Sequence, residues 1–137
     1  MINVSHQHPV RRFPVRETIR TVKIVLEEES RTAMRISVVF TNDRFIQSIN
    51  RRFLDHNSAT DVLAFPLGHD AGAEAELFVN LDSAKRQSKQ YGVSYHEEVR
   101  RLLIHGVLHV MGYRDSTRRQ RMGMHRWENK YLQQLQT

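Results

Sequence analysis

Apolar residues recur at helical spacing over residues 17–29, where Ile19, Val22 and Leu26 fall on one side, and predict an amphipathic helix. The run 34–41 (MRISVVFT) switches to a period of two, with Met34, Ile36, Val38 and Phe40 on one face, and predicts a strand. Asn42 stands where an N-cap belongs, ahead of Phe45, Ile46, Ile49 and Phe53, which share a helical face. Residues 61–67 (DVLAFPL) and 76–81 (ELFVNL) are β-prone runs on either side of the loop 68–73 (GHDAGA). Pro66 suits an edge or a strand end, where no ladder donor is needed.

Asp82 is placed to cap a helix over 83–91, with Gly92 just past its end. Ser94-Tyr95-His96-Glu97 has the form of a capping box ahead of Val99, Leu102, Leu103 and Val107. That helix should reach about Met111 and stop at Gly112. A last helix over 118–135 carries Met122, Trp127, Tyr131, Leu132 and Leu135. The patterns therefore run helix, strand, helix, two strands, three helices. The expected fold is a single small α+β domain over 1–137, with one mixed sheet of about four strands packed with about five helices.

A chain of 137 residues with 39% apolar residues has material for one core and is not wholly disordered. No stretch approaches the roughly 20 apolar residues of a membrane span. The first residues, MINVSHQHPVRRFP, lack an apolar h-region and a small-residue cleavage site, so they do not read as a secretory signal. Zero cysteines exclude a disulfide partner, a thiolate zinc site and a cysteine nucleophile. These exclusions point to a cytoplasmic protein. The net charge of +6 leaves polyanions as partners. Basic residues cluster at Arg11 and Arg12, Arg51 and Arg52, Lys85, Arg86 and Lys89, Arg100 and Arg101, and Arg118, Arg119 and Arg121. Each cluster taken alone also fits a solvated helix face.

The chemistry concentrates in HGVLH. His105 and His109 stand at i and i+4, one turn apart on one helical face, a spacing at which both imidazoles can ligate one tetrahedral ion. A bare HxxxH is a weak signal in a chain with eight histidines. Its surroundings strengthen it, because Gly112 ends the helix and a tight turn through Tyr113 and Arg114 delivers Asp115. A His₂Asp face would leave the fourth position to water. A zinc protease carries Glu directly after its first His; here that residue is Gly106, which disfavours peptide hydrolysis by that route.

HGVLHVMGYRD resembles the H-G-x-L-H-x-x-G-Y-D-H signature of the YbeY family, metal-dependent endoribonucleases of bacterial rRNA maturation. The segment 49–66, INRRFLDHNSATDVLAFP, resembles that family's L-N-x-x-Y-R-x-K-D-x-P-T-D-V-L-S-F-P, and 76–80 falls where the family has its G-D-I-x-I-S strand. Order and spacing agree over about two-thirds of the chain. Two departures stand out. The third ligand position, His in the family, is Asp115 here, preceded by Arg114 in place of Asp. The family's functional Arg falls on Leu54, its Lys on His56 and its Asp on Asn57, which removes a planar guanidinium from the expected phosphate site.

The resemblance implies one Zn²⁺, or another divalent ion, held by His105, His109 and Asp115, and cleavage of single-stranded RNA during rRNA processing. It also implies 16S rRNA 3′-end maturation, ribosome quality control and ribosomal particles as partners. Catalysis is expected to run through the three ligands, with His56 as a candidate proton acceptor. Arg51, Arg52, Arg118, Arg119 and Arg121 are the candidate RNA contacts, positioning the backbone without reading bases. Thr60 and Asp61 either order the loop beside the metal or cap the strand. His125 reads as exposed and Trp127 as packed. Two other readings stay open: a non-catalytic ribosome-assembly factor with a structural metal, favoured by Leu54, and a metal-dependent peptidase or other hydrolase.

Overall fold

Parallel strands need crossovers, and the chain provides them by alternating strand with helix through its first half. The computed structural model describes residues 1–68 and 73–136. Its elements are β1 (Ile2–Gln7), α1 (Val15–Glu28), β2 (Arg35–Thr41), α2 (Asp43–Leu54), β3 (Val62–Leu67), β4 (Glu74–Asn80), α3 (Leu81–Tyr91), α4 (Tyr95–Val110) and α5 (Arg118–Leu135). The sheet runs β1-β2-β4-β3. β1, β2 and β4 are parallel, and β3 returns antiparallel beside β4, with Pro66 opposite Ala75 on the outer edge. This is the expected α+β domain with one mixed four-stranded sheet. The part of the loop at 69–72 lies outside the described residues.

β1 is the strand that patterning did not assign. INVSHQ alternates half-buried and exposed positions, but only Ile2 and Val4 are aliphatic. His6 takes the third inward place, its ring 4.9 Å from that of Phe40. A period of two with an imidazole in an apolar slot gives a faint signal.

Ile36, Val38 and Phe40 of β2 and Ala75, Leu77 and Val79 of β4 are buried on one sheet face. Val22, Val25 and Leu26 of α1 and much of α4 complete the core there. Strand alternation puts Phe78 on the opposite face, where its ring meets Phe45 of α2 at 6.3 Å and Phe65 of β3 at 5.9 Å. Phe53 does not share this burial as expected: on the last turn of α2 it is 62% exposed, its ring meeting the edge of Phe65 at 6.0 Å with the Arg52 guanidinium 5.9 Å over its face.

The caps follow the sequence with one exception. Asn42 accepts from the Phe45 N–H and Ser94 from the Glu97 N–H. For α3 the cap is Asn80 rather than Asp82, because the helix begins two residues earlier than expected; the Asn80 Oδ1 accepts from the Asp82 and Ser83 N–H groups. Asp82 is thereby freed to accept from the Asp43 N–H at the start of α2, from His8 Nε2 and from Arg11 Nε. The His8 Nδ1 already accepts from the Val10 and Arg11 N–H groups, so Nε2 carries the hydrogen given to Asp82.

α4 lies in the middle of the molecule, with Val99, Leu102, Leu103, Ile104, Val107 and Leu108 all buried. Gly106 lets it sit close on the sheet: a Cβ there would stand 3.2 Å from Val62 Cγ2 and 3.3 Å from Leu77 Cδ2. Gly106→Val adds two methyl groups beyond that crowded Cβ. The expected loss of stability is about 1–3 kcal/mol from overpacking, measured as a lower urea midpoint. A midpoint equal to the parent's would mean that α4 can retreat from the sheet freely.

Candidate metal centre

The exposed stripe of α4 faces away from the sheet and carries His105 and His109. Their rings stand 4.5 Å apart at 71°, and their Nε2 atoms 2.9 Å apart. The helix stops where Gly112 takes φ +99°, a conformation that favours glycine. The Tyr113 N–H then donates back to the Leu108 carbonyl at 3.0 Å. Tyr113 is anchored by its hydroxyl, which donates to Glu29, and by its ring against Trp127. Two residues later the turn brings Asp115 Oδ2 to 3.2 Å from each histidine Nε2.

Three acceptor atoms thus converge at separations of 2.9–3.2 Å. Ligands about 2.0–2.1 Å from a shared tetrahedral ion lie about 3.3 Å apart, so the donor set fits a small cation of the zinc type. His105, His109 and Asp115 could hold such an ion, and they are the one such group of three among the described residues.

His105 is oriented from behind. Its Nδ1 lies 2.6 Å from Oε2 of Glu128 on α5, a buried carboxylate whose Oε1 accepts from Arg101 at 3.1 Å. With Nδ1–H donated to Glu128, the Nε2 lone pair points at the donor set. Burial alone would lower the His105 pKa, but the Glu128 hydrogen bond and the charges of Glu128, Asp115 and Asp61 outweigh it and raise the value.

A cleft of about 640 Å³ opens beside these residues. α4 forms its floor through Glu98, Leu102 and His105, α3 contributes Gln87 and Tyr91, and α5 contributes Arg121, Met124 and His125. Asp61 also lines it, with Oδ2 accepting from Gln87 Nε2 at 3.2 Å and its backbone carbonyl accepting from the Asn80 N–H. Glu98 is 2% exposed, and its Oε1 has no hydrogen-bond partner. Desolvation pushes its pKa up to about 7; Arg101 opposes the rise, and Asp61, Glu128 and Glu97 add to it.

A family model described as Endoribonuclease YbeY matches residues 1–136. The chain belongs to the YbeY endoribonuclease family. It is 33% identical over 130 residues to the protein named Endoribonuclease YbeY from Chlorobium phaeovibrioides, covering 95% of this chain and 88% of that one. The similarly named protein of Chlorobium phaeobacteroides is 36% identical over 123 residues, covering 90% and 89%. The solution structure of TM1509 from Thermotoga maritima superposes with a TM-score of 0.65 at 22% identity, covering 96% of this chain and 87% of that one, and shares the fold.

Within this YbeY fold the other expected site residues are spread out. Arg121 lines the cleft and donates to the Ser116 carbonyl at 2.9 Å. Arg118 and Arg119 line a separate shallow depression of about 410 Å³ with Met122 and Arg126. Arg51, Arg52 and Leu54 are exposed at the end of α2, and His56 is exposed in the segment that follows; none of these four lines the cleft. The guanidinium groups at the cleft belong to Arg101 and Arg121. Thr60 and Asp61 bracket Asn80, whose Nδ2 donates to the Thr60 carbonyl. His125 is exposed and lines the cleft, whereas Trp127 packs against Tyr113 and Tyr131.

Sequence reasoning missed Glu128 and Glu98. Glu128 is 23 residues from the imidazole it orients, and no local spacing signals it. Glu98 was legible in principle, since it lies two turns before His105 on the same helical stripe.

Glu128→Gln keeps the shape of the side chain but removes the charge behind His105. The expected loss of zinc affinity is about 10–100-fold, read by competition with a chromophoric chelator; unchanged affinity would make Glu128 a packing residue only. For Glu98, the folded chain holds the proton more tightly than the unfolded one, so its contribution to stability falls as pH rises from about 4.5 to about 7. Glu98→Gln removes that loss. In urea unfolding of metal-free protein, the variant should gain over the parent by about 3 kcal/mol on going from pH 4 to pH 8, at about 1.36 kcal/mol per pKa unit. A gap independent of pH would show that the carboxyl is not held neutral by the fold.

Proposed function

We propose that the chain is a metal-dependent endoribonuclease that cuts single-stranded RNA during rRNA processing. The observation that carries this reading is the convergence of His105 Nε2, His109 Nε2 and Asp115 Oδ2 at the edge of an open cleft, in a chain whose relatives are named endoribonucleases. Zn²⁺ suits two imidazoles and a carboxylate. Held there, it supplies a Lewis acid that acidifies water and draws charge from a phosphoryl oxygen.

The rest of the work falls to the chain. Glu128 keeps the His105 ring turned toward the donor set. Arg121 presents a guanidinium at the cleft, a group that pairs with phosphate, whereas Leu54 supplies none and lies outside it. Arg118 and Arg119, one turn earlier on α5, extend the basic track along which a backbone can be held. Proton transfer near neutral pH suits an imidazole, and of the histidines outside the donor set it is His125 that lines the cleft. His56, the acceptor expected from the sequence, is exposed outside the cleft. Single strands fit because an unpaired phosphodiester can enter a cleft from which a duplex is excluded by its own shape.

Maturation of the 16S rRNA 3′ end, ribosome quality control, ribosomal particles as partners and a cytoplasmic location are carried by the resemblance to the family. A structural metal in a non-catalytic assembly factor is favoured by the Leu54 replacement alone. Closed structural zinc sites take four protein ligands, and the described residues bring three together.

The test is cleavage of an end-labelled single-stranded rRNA fragment by zinc-loaded protein, beside His109→Ala and Asp115→Ala. The parent should cut, and each variant should lose bound metal and at least 100-fold in rate together. A parent that holds zinc yet cuts no RNA, alone or with ribosomal particles, would overturn the nuclease reading in favour of the assembly factor.

A further inference from the structure

The cleft is longer than the donor set requires. From His105 back to Glu98 is seven residues of α4, about 10 Å at 1.5 Å per residue. This remote end has Leu102 and Val93 as apolar walls, Tyr91 as an aromatic at the rim with 60% of its surface exposed, and Glu98 in its floor. A buried carboxylate oxygen without a partner is costly to a fold, yet Glu98 Oε1 is left in that state beside an open space. Asp61, at the same cleft, adds a second carboxylate. Phosphate is repelled from such a corner, whereas a neutral group rich in N–H donors is drawn to it.

We propose that this end of the cleft is a nucleobase pocket selective for guanine, in which the Glu98 carboxylate accepts from the base's Watson–Crick edge and Tyr91 stacks on its face. This deepens the endoribonuclease reading and rests on it. An ionised carboxylate only accepts hydrogen bonds. Guanine offers two adjacent donors, N1–H and the 2-amino group, which match two carboxylate oxygens. Adenine and cytosine set one amino group beside a ring nitrogen acceptor, and uracil sets one N–H between two carbonyls; each turns a lone pair toward the carboxylate. Donors brought to Glu98 also offset the desolvation that now pushes its pKa upward. Stacking on Tyr91 contributes for any base, so discrimination rests with Glu98. The phosphate beside the bound nucleoside then lies toward Arg121 and the donor set, so the pocket would set the position of the cut relative to a guanosine.

The experiment has two arms. In the first, metal-free protein is titrated at pH 8, above the Glu98 pKa of about 7 so that its carboxylate is ionised, with GMP, AMP, CMP and UMP, following backbone amide shifts. GMP should bind at least tenfold more tightly than the others; Glu98→Gln should abolish that preference, and Tyr91→Ala, at an exposed position, should weaken all four by a similar factor. Equal affinities, a preference for AMP or CMP, or a GMP preference that survives Glu98→Gln would overturn the proposal. In the second arm, zinc-loaded protein meets unstructured RNAs carrying one guanosine at varied positions. Cuts should fall at a fixed offset from that guanosine and scatter in Glu98→Gln; cuts by the parent with no such register would overturn it. If no RNA is cut while GMP selectivity holds, it is the endoribonuclease reading that fails, and the pocket stands as a guanine site.

Discussion

The close seat of α4 on the sheet is the constraint on which the site depends. Helices usually lie about 10 Å from what they pack against, but Gly106 brings α4 to where a single added carbon would meet Val62 and Leu77 at 3.2–3.3 Å. Held there, with six apolar side chains buried around it, the helix has no freedom to roll. Its remaining stripe is committed to one direction, and that stripe carries Glu98, Arg101, His105 and His109. Residue 106 therefore cannot also supply a catalytic side chain to the cleft: the position after the first histidine points into the sheet. The same glycine that disfavours a protease mechanism is what fixes the imidazoles in place.

α5 and the turn before it are positioned by a second, polar device. Glu29, just past the end of α1, accepts from the hydroxyls of both Tyr113 and Tyr131. One anion thereby ties the turn that delivers Asp115 to the helix that delivers Glu128. The reciprocal capping box of Thr117 and Gln120 fixes where α5 begins. Two ligands on a helix, one on a turn and one orienting carboxylate on another helix can keep a 3 Å geometry only if these three supports move as a unit.

What was legible in the sequence follows from this division. Periodicity marks α1, β2, α4 and α5 within a residue or two, because each buries one face against a common core. The HxxxH spacing and the glycine-terminated turn point to the convergence of His105, His109 and Asp115, since all three lie within eleven residues of chain. β1 escaped because His6 occupies an inward slot. Asn80 and Asp82 are equally good capping types, and only the start of the helix, two residues before the position that patterning predicts, decides for Asn80. Phe53 fits the apolar face of α2 by spacing, but spacing says nothing of which turns the rest of the fold covers. Glu128 was out of reach for a plainer reason: its place behind His105 is set by how α5 crosses α4, a tertiary fact with no local signature, and the same crossing decides that Arg121 alone of the three expected arginines on α5 lines the cleft.

The charge distribution resolves an apparent conflict. A chain of net charge +6 is suited to a polyanion, yet its cleft gathers Asp61, Glu98, Asp115 and Glu128. Were the whole cleft a phosphate site, these carboxylates would work against it. They are compatible with RNA if the phosphate and the base of one nucleotide are sorted to opposite ends. A cation held by the donor set would neutralise Asp115, and Glu128 is paired with Arg101 and His105, which would leave that end open to phosphate beside Arg121. Asp61 is engaged by Gln87, and only Glu98 stays without a partner. A cleft that repels phosphate at one end and attracts it at the other would orient its ligand before any specific contact forms, and under the proposed function the basic face of α5 outside it would supply the general affinity for the strand.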